Sequence, residues 1–261
     1  MKIAIIGGTG VCNSFFMDKN ENIELNTPYG KVQLTKGYRG DKEIFFLERH
    51  SKGHKLIPSK VNYKGNIYAL KSLNVDYIIS TAAVGGINNC NVGDFIILND
   101  FIDFTKNRSC TFFDDVDSGV VHVDMTEPYC KTLRAMLIEA FQYAKAPLVK
   151  NGTYVCTEGP RFETPAEISM YKKLGADVVG MTNVPEVILA RESSLCYATV
   201  ALVTNYASGI SKTNLTHKEV SENMLKMINT LTNAFSYLID HATIDKLCTC
   251  NHALDELNTL K

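Results

Sequence analysis

The stretch KIAIIGGTG, residues 2–10, sets the reading of the whole chain. Ile3, Ile5 and Ile6 crowd β-branched side chains into a short apolar run, which Gly7, Gly8, Thr9 and Gly10 then break off. A run apolar at successive positions and closed by small residues reads as a strand buried on both faces, ending in a tight turn. Further runs of this kind occur at 43–48 (EIFFLE), 75–80 (VDYIIS), 94–98 (DFIIL), 153–156 (TYVC), 177–181 (DVVGM) and 197–204 (YATVALVT). Helical patterns fall at about 59–73, 130–145, 165–174, 185–194 and 217–241. Strands alternating with helices specify the α/β class.

Two helix starts are marked chemically. Thr164-Pro165-Ala166-Glu167 and Thr216-His217-Lys218-Glu219 both match the Ser/Thr-x-x-Glu capping box, the first with proline at the first helical position. No Pro/Gly/Ser-rich linker or repeat divides the 261 residues, so the expectation is a single domain over 1–261 with a long loop near 105–129 that carries Phe112, Phe113 and His122.

Composition narrows the functional classes. With 27 basic and 28 acidic residues well mixed, the chain offers no cationic stripe for a polyphosphate backbone, so nucleic acid is not an expected partner. The opening apolar run is too short for a signal peptide and no stretch is long enough for a membrane span, so a cytoplasmic protein with no membrane partner is expected. The eight cysteines are scattered and form neither a disulfide framework nor a paired CxxC zinc pattern. Cys248-Thr-Cys250, followed by His252, is read as ordinary thiols without a role.

Several turns carry chemistry. Gly7-Gly8-Thr9-Gly10 lets backbone N–H groups approach an anion, and Thr9 adds a hydroxyl. A dinucleotide fingerprint would need a third glycine where Asn13 stands, and a Walker lysine is missing. Arg49-His50 ends the second run, where a planar guanidinium beside an imidazole suits a phosphate dianion; a zinc reading of His50 and His54 lacks the glutamate of H-E-x-x-H. Ser80 to Gly86 forms another small-residue turn at a strand's carboxyl end, where open α/β sheets bind ligands. Glu158-Gly-Pro-Arg-Phe-Glu163 and Gly180-Met-Thr-Asn-Val-Pro-Glu186 each place polar groups just before a helix, and no G-x-S-x-G nucleophile elbow accompanies them.

Together GGTG (7–10), RH (49–50), PSKVNY (58–63), EGPRFET (158–164), GMTNVPE (180–186) and TNY (204–206) occur in the order found in one family. Over nearly all of residues 1–240 the chain resembles the trimeric purine nucleoside phosphorylases and 5′-methylthioadenosine phosphorylases. The resemblance implies the nucleoside phosphorylase/hydrolase fold, a mixed twisted sheet flanked by helices, in a homotrimer with sites near subunit boundaries. It implies no metal or organic cofactor, with inorganic phosphate as co-substrate. Phosphate is then expected at Thr9, Arg49, His50, the backbone around Ala82 and Ala83, and Thr182. Met181 is expected against the sugar, Phe162 and Ala207 in the substrate pocket, His217 at the 5′-hydroxyl, and His122 in the neighbouring subunit's site.

Base selection is expected from Glu163 and Asn205. The adenine-specific branch carries aspartate at the positions of Asn205 and Ala207, whereas the 6-oxopurine branch has the asparagine and the glutamate found here. The chemistry agrees: an ionised Glu163 accepts from the N1–H of hypoxanthine or guanine, and the Asn205 amide donates to O6 or N7 of the departing base. The expectation is therefore a purine nucleoside phosphorylase acting on inosine and guanosine. The alternatives are a 5′-methylthioinosine or methylthioadenosine phosphorylase, a non-catalytic nucleoside-binding protein and, weakest, an NAD-binding oxidoreductase.

Overall fold

The structure is a computed structural model that describes residues 1–8, 11, 17–50, 56–115, 119–211, 217–244 and 248–255, with the backbone alone at 217–219. Thr9, Asn13, His54 and the second capping box lie outside what is described.

Nine strands form one mixed sheet: β1 (Lys2–Gly7), β2 (Asp18–Thr27), β3 (Gly30–Arg39), β4 (Lys42–Glu48), β5 (Tyr77–Gly86), β6 (Phe95–Phe104), β7 (Leu148–Thr157), β8 (Val178–Gly180) and β9 (Cys196–Tyr206). Among the described residues five α-helices accompany them: α1 (Tyr63–Ser72), α2 (Lys131–Tyr143), α3 (Pro165–Lys173), α4 (Asn183–Glu192) and α5 (His217–His241). The expected α/β class and flanked mixed sheet are borne out. None of the described helices is long and apolar enough to cross a membrane.

The central strands are buried on both faces, and the period of two sorts their side chains into two cores. Ile3 and Ile5 of β1, with Ala198, Val200 and Leu202 of β9, join Leu133, Leu137 and Phe141 of α2 and Leu231, Phe235 and Leu238 of α5. Their neighbours Ala4, Ile6, Ala201 and Val203 join Ile67 and Leu70 of α1 and Val187 and Leu189 of α4 on the other side.

The strand order is β2-β3-β4-β1-β5-β8-β7-β6-β9, with a further pairing of β5 to β9. Strands β5, β8, β7, β6 and β9 therefore close into a ring, while β1 to β4 extend from it as an open wing. Closure removes the free edges that β6 and β9 would otherwise carry. Along the β5–β9 ladder Val84 faces Val203 but Gly85 faces Asn205, so Thr204 is an inserted bulge residue. A bulge re-aims the side chains next to it.

The wing holds the part not foreseen from the sequence. Strands β2 and β3 pair as an antiparallel hairpin, and β2, DKNENIELNT, is almost wholly exposed. Its only apolar alternation is Ile23 and Leu25, half-buried against the core, a pattern too short to stand out in the sequence. Its charges instead blunt an edge that would otherwise recruit other strands.

Candidate active site

The carboxyl ends of β1, β4, β5, β7, β8 and β9 meet around a cavity of about 330 Å³. Arg49, His50, Ala82, Ala83, Phe162, Glu163, Met181, Thr182, Asn205 and Ala207 all line it, together with Gly8. The turns singled out in the sequence are thus one place in the fold. His122 is exposed and does not line this cavity. Thr9 and the His217 side chain fall outside the described residues, although Val220, one turn along α5 from His217, does line the wall.

At one end sits Arg49, buried with 2% of its surface exposed. Its Nε and Nη2 donate to the two carboxylate oxygens of Glu186, each at 2.7 Å. Nη2 also donates to the Ser80 hydroxyl at 2.6 Å and Nη1 to the Thr81 carbonyl at 2.8 Å. Four of the five guanidinium hydrogens are spoken for, which leaves one on Nη1. Burial alone would push the Arg49 pKa down; the charge and hydrogen bonds of Glu186 more than reverse this and hold it above its ordinary value.

Glu186 is fully buried and also accepts from the Ser80 hydroxyl at 2.8 Å and the Tyr197 hydroxyl at 2.7 Å. Asn183 extends the network, donating to Tyr197 at 3.2 Å and Thr199 at 2.8 Å and accepting from Tyr129. Every member shown here has its partners, the condition under which a buried polar network rigidifies a site. Sequence reading had Glu186 only as part of a motif. Its pairing with a residue 137 positions away carries no local signal.

Gly8 completes this end. Its N–H donates to the Thr81 hydroxyl at 2.9 Å, and a Cβ there would lie 2.8 Å from the Thr81 carbonyl oxygen and 3.3 Å from Arg49 Nη1. Only glycine lets the turn after β1 approach so closely. His50 holds its ring through Nδ1, which donates to the Leu56 carbonyl at 2.9 Å. Thr182 precedes α4 yet makes no capping bond to it with its hydroxyl.

The other end is built differently. Glu163 lies just before α3, whose start is fixed by the expected capping box: Glu167 N–H donates to the Thr164 hydroxyl at 3.2 Å and Thr164 N–H to the Glu167 carboxylate at 2.7 Å. Glu163 is 8% exposed, and burial raises its pKa, partly opposed by the Thr157 hydroxyl that donates to Oε1 at 2.6 Å. Asn205 is oriented by its neighbours: the Thr204 hydroxyl donates to its Oδ1 at 2.9 Å, and one Nδ2 hydrogen goes to the Tyr206 carbonyl at 2.9 Å. These two bonds fix the plane of the amide and leave the second Nδ2 hydrogen to offer a ligand.

The β5–β9 bulge explains why both Thr204 and Asn205 line the cavity, since successive residues of a regular strand would face opposite ways.

Arg108 was not singled out in the sequence. Its guanidinium donates to the carbonyls of Met181 and Val184, both at 2.7 Å, and to those of Glu158 and Thr157 at 2.8 and 3.2 Å. It ties the segment after β7 to the segment after β8. A lone arginine in a polar loop gives no sequence signal for such a role.

The model of the Phosphorylase superfamily matches residues 2–240. The chain belongs to that superfamily. A Dictyoglomus turgidum protein described as a probable 6-oxopurine nucleoside phosphorylase is 53% identical, spanning 98% of this chain and 97% of its own. The 6-oxopurine nucleoside phosphorylase of Pyrococcus furiosus is 50% identical over 97% of each chain. A probable S-methyl-5′-thioinosine phosphorylase of Methanothermobacter thermautotrophicus is 46% identical over 97% of this chain and 88% of its own. Among solved structures, the methylthioadenosine phosphorylase of Schistosoma mansoni in complex with adenine superimposes with a TM-score of 0.92 at 33% identity, covering 99% of this phosphorylase and 98% of that chain. The family expected from the motifs is borne out.

Proposed function

We propose that this phosphorylase cleaves 6-oxopurine ribonucleosides, inosine and guanosine, with inorganic phosphate, giving the free base and ribose 1-phosphate. The observation that carries the reading is the pairing, in one cavity, of a carboxylate acceptor at Glu163 with an oriented amide at Asn205 that keeps one Nδ2 hydrogen to donate. That pair matches the N1–H and O6 or N7 of a 6-oxopurine. Adenine would set its N1 lone pair against the carboxylate, a mismatch of about 1–3 kcal/mol. The names of the relatives support the same assignment.

The anion would sit at the Arg49 end, near Gly8, Thr9, His50, the backbone of Ala82 and Ala83, and Thr182. Arg49 brings a fixed positive charge and one N–H there rather than a mobile fork. Phosphate oxygen attacks the anomeric carbon as the glycosidic bond breaks, the purine leaves with the bonding electrons, and an N–H from Asn205 stabilises the charge gathering on it. Met181 and Phe162 would enclose the sugar and base, Ala207 leaves room beside the base, and His217 would meet the 5′-hydroxyl. The assembly in this reading is a homotrimer in which His122 reaches the neighbouring subunit's cavity.

A second reading, 5′-methylthioinosine, has its own support. Leu56, Ile57 and Val220 give the cavity an apolar wall suited to a thioether, and the Methanothermobacter relative bears that name.

Incubation of the purified protein with phosphate and each of inosine, guanosine, adenosine, methylthioinosine and methylthioadenosine, followed by chromatography of the released base, tests both. Phosphate-dependent release confined to inosine and guanosine is expected. Preference for methylthioinosine would keep the base reading and overturn the assignment of His217; cleavage of adenosine would overturn the roles of Glu163 and Asn205.

A further inference from the structure

Four of the cysteines that are scattered in the sequence converge in the fold. Cys130 caps the N-terminus of α2, Cys196 opens β9, and Cys248 and Cys250 lie in the segment that follows α5. Their four Sγ atoms all lie within 4.8 Å of one another. All four are free thiols; Cys130, Cys196 and Cys250 are buried, and Cys248 is half-buried. Cys248 and Cys250, read from the sequence as thiols without a role, thus lie beside two further thiols. We infer that Cys130, Cys196, Cys248 and Cys250 form a structural zinc site, a tetrathiolate that staples the C-terminal segment to the sheet.

Zinc is bound tetrahedrally by thiolates at about 2.3 Å, which sets the sulfur–sulfur edge of a four-cysteine site at about 3.8 Å. The cluster is already close to that size, with Cys196 and Cys248 Sγ 3.3 Å apart. The ligands are held from behind. The backbone N–H of Cys130 donates to the Tyr197 carbonyl at 2.8 Å, which sets Cys130 beside Cys196 before any metal binds. Leu133 N–H donates to Cys130 Sγ at 3.5 Å, the kind of outer-shell bond that orients a ligand. That N–H and the positive end of α2 also offset the net negative charge of a tetrathiolate zinc.

On binding, four zinc–sulfur bonds form and the four thiol protons pass to solvent. His252, the other candidate ligand nearby in sequence, pairs instead with Asp255 at 2.6 Å and stays exposed.

The site has something to hold. Cys250 is the one buried residue among 248–255, so the segment has little apolar anchorage of its own. Catalysis is far away: Cys196 and Asn205 stand at opposite ends of β9, about 30 Å apart at 3.3 Å per residue. The metal would serve stability and leave the chemistry of the cavity alone.

The test is metal analysis of the full chain purified under reducing conditions, paired with thiol titration in denaturant. One zinc per chain is expected, released when an organomercurial blocks the thiols, with a lower Tm afterwards. Replacement by Co²⁺ should give thiolate-to-cobalt charge-transfer and tetrahedral d–d absorption. Cys250→Ser should lose at least tenfold in zinc affinity, equivalent to about 1.4 kcal/mol of binding, and Cys250→His should recover it, with turnover at low temperature unchanged in both. If Cys250→Ser does not fold, the cobalt spectrum of the unaltered chain decides alone. Metal-free protein with the four thiols either titrating freely or joined in disulfides would overturn the proposal.

Discussion

The two ends of the cavity solve opposite problems. At the Arg49 end nearly every hydrogen-bonding group is engaged within the protein: Arg49 with Glu186, Ser80 and Thr81, and Glu186 with Tyr197 besides. At the Glu163–Asn205 end one bond from Thr157 and two on the Asn205 amide set the orientation, and the rest of their capacity is left for a ligand. The difference teaches that a charge and a recognition pattern need different support. A buried cation must be paired before substrate arrives, or its desolvation would cost several kcal/mol, whereas groups that read a base must stay partly unsatisfied until the base is there.

The largest effect should come from breaking the first end. Glu186→Ala leaves Arg49 buried and uncompensated and should cost about 3–5 kcal/mol, read as a lower urea midpoint with unchanged m-value. A loss below about 1 kcal/mol would mean that the pair relaxes into solvent and that this end is not preorganised. Arg49→Lys keeps the charge but not the fork; the apparent KM for phosphate should rise about 10–100-fold, with the inosine KM nearly constant. Equal effects on both substrates would erase the functional division between the ends.

Changes at the second end should move selectivity and spare the fold. Asn205→Asp combined with Glu163→Ser should shift the inosine-to-adenosine ratio of kcat/KM towards adenosine by about 10–100-fold. An unchanged ratio would show that the base is read elsewhere.

The smallest effect is the most diagnostic in sign. Burial raises the pKa of Glu163, so its ionised form is disfavoured in the folded chain: the stability present below the unfolded pKa is lost as pH rises through the raised value. Binding of a 6-oxopurine needs that ionised form. Inosine kcat/KM should therefore fall as pH drops through the raised Glu163 pKa, and Glu163→Gln should remove that limb while making the free protein slightly more stable at neutral pH. A pH profile unaltered in Glu163→Gln would assign the limb to another group.

Much of this was legible in the sequence because the local rules were strong there. The central strands are apolar on both faces, α3 starts at a recognisable capping box, and the residues of the cavity sit in turns that follow strands. What escaped reading is non-local or lacks a pattern. The hairpin of β2 and β3 prints its period only in the short pairs Ile23, Leu25 and Val32, Leu34, among mostly polar neighbours. Nothing near Arg49 points to Glu186, and the convergence of Cys130 and Cys196 with Cys248 and Cys250 exists only once α2, β9 and the segment after α5 are packed together. The Thr204 bulge is a matter of register, which one strand's sequence does not contain.

The closed ring of β5, β8, β7, β6 and β9 has a bearing on how such an enzyme can change. A strand in an open sheet can slide by two residues and keep its inward faces, but in a hoop each strand is clasped by two others, so a slip anywhere must be matched all the way round. Glu163, Met181 and Asn205 follow or end three different strands of that hoop. Their spacing is consequently a shared property of five strands, and a lineage moving from one purine to another has side-chain replacement open to it while the distances between those side chains stay where the hoop holds them.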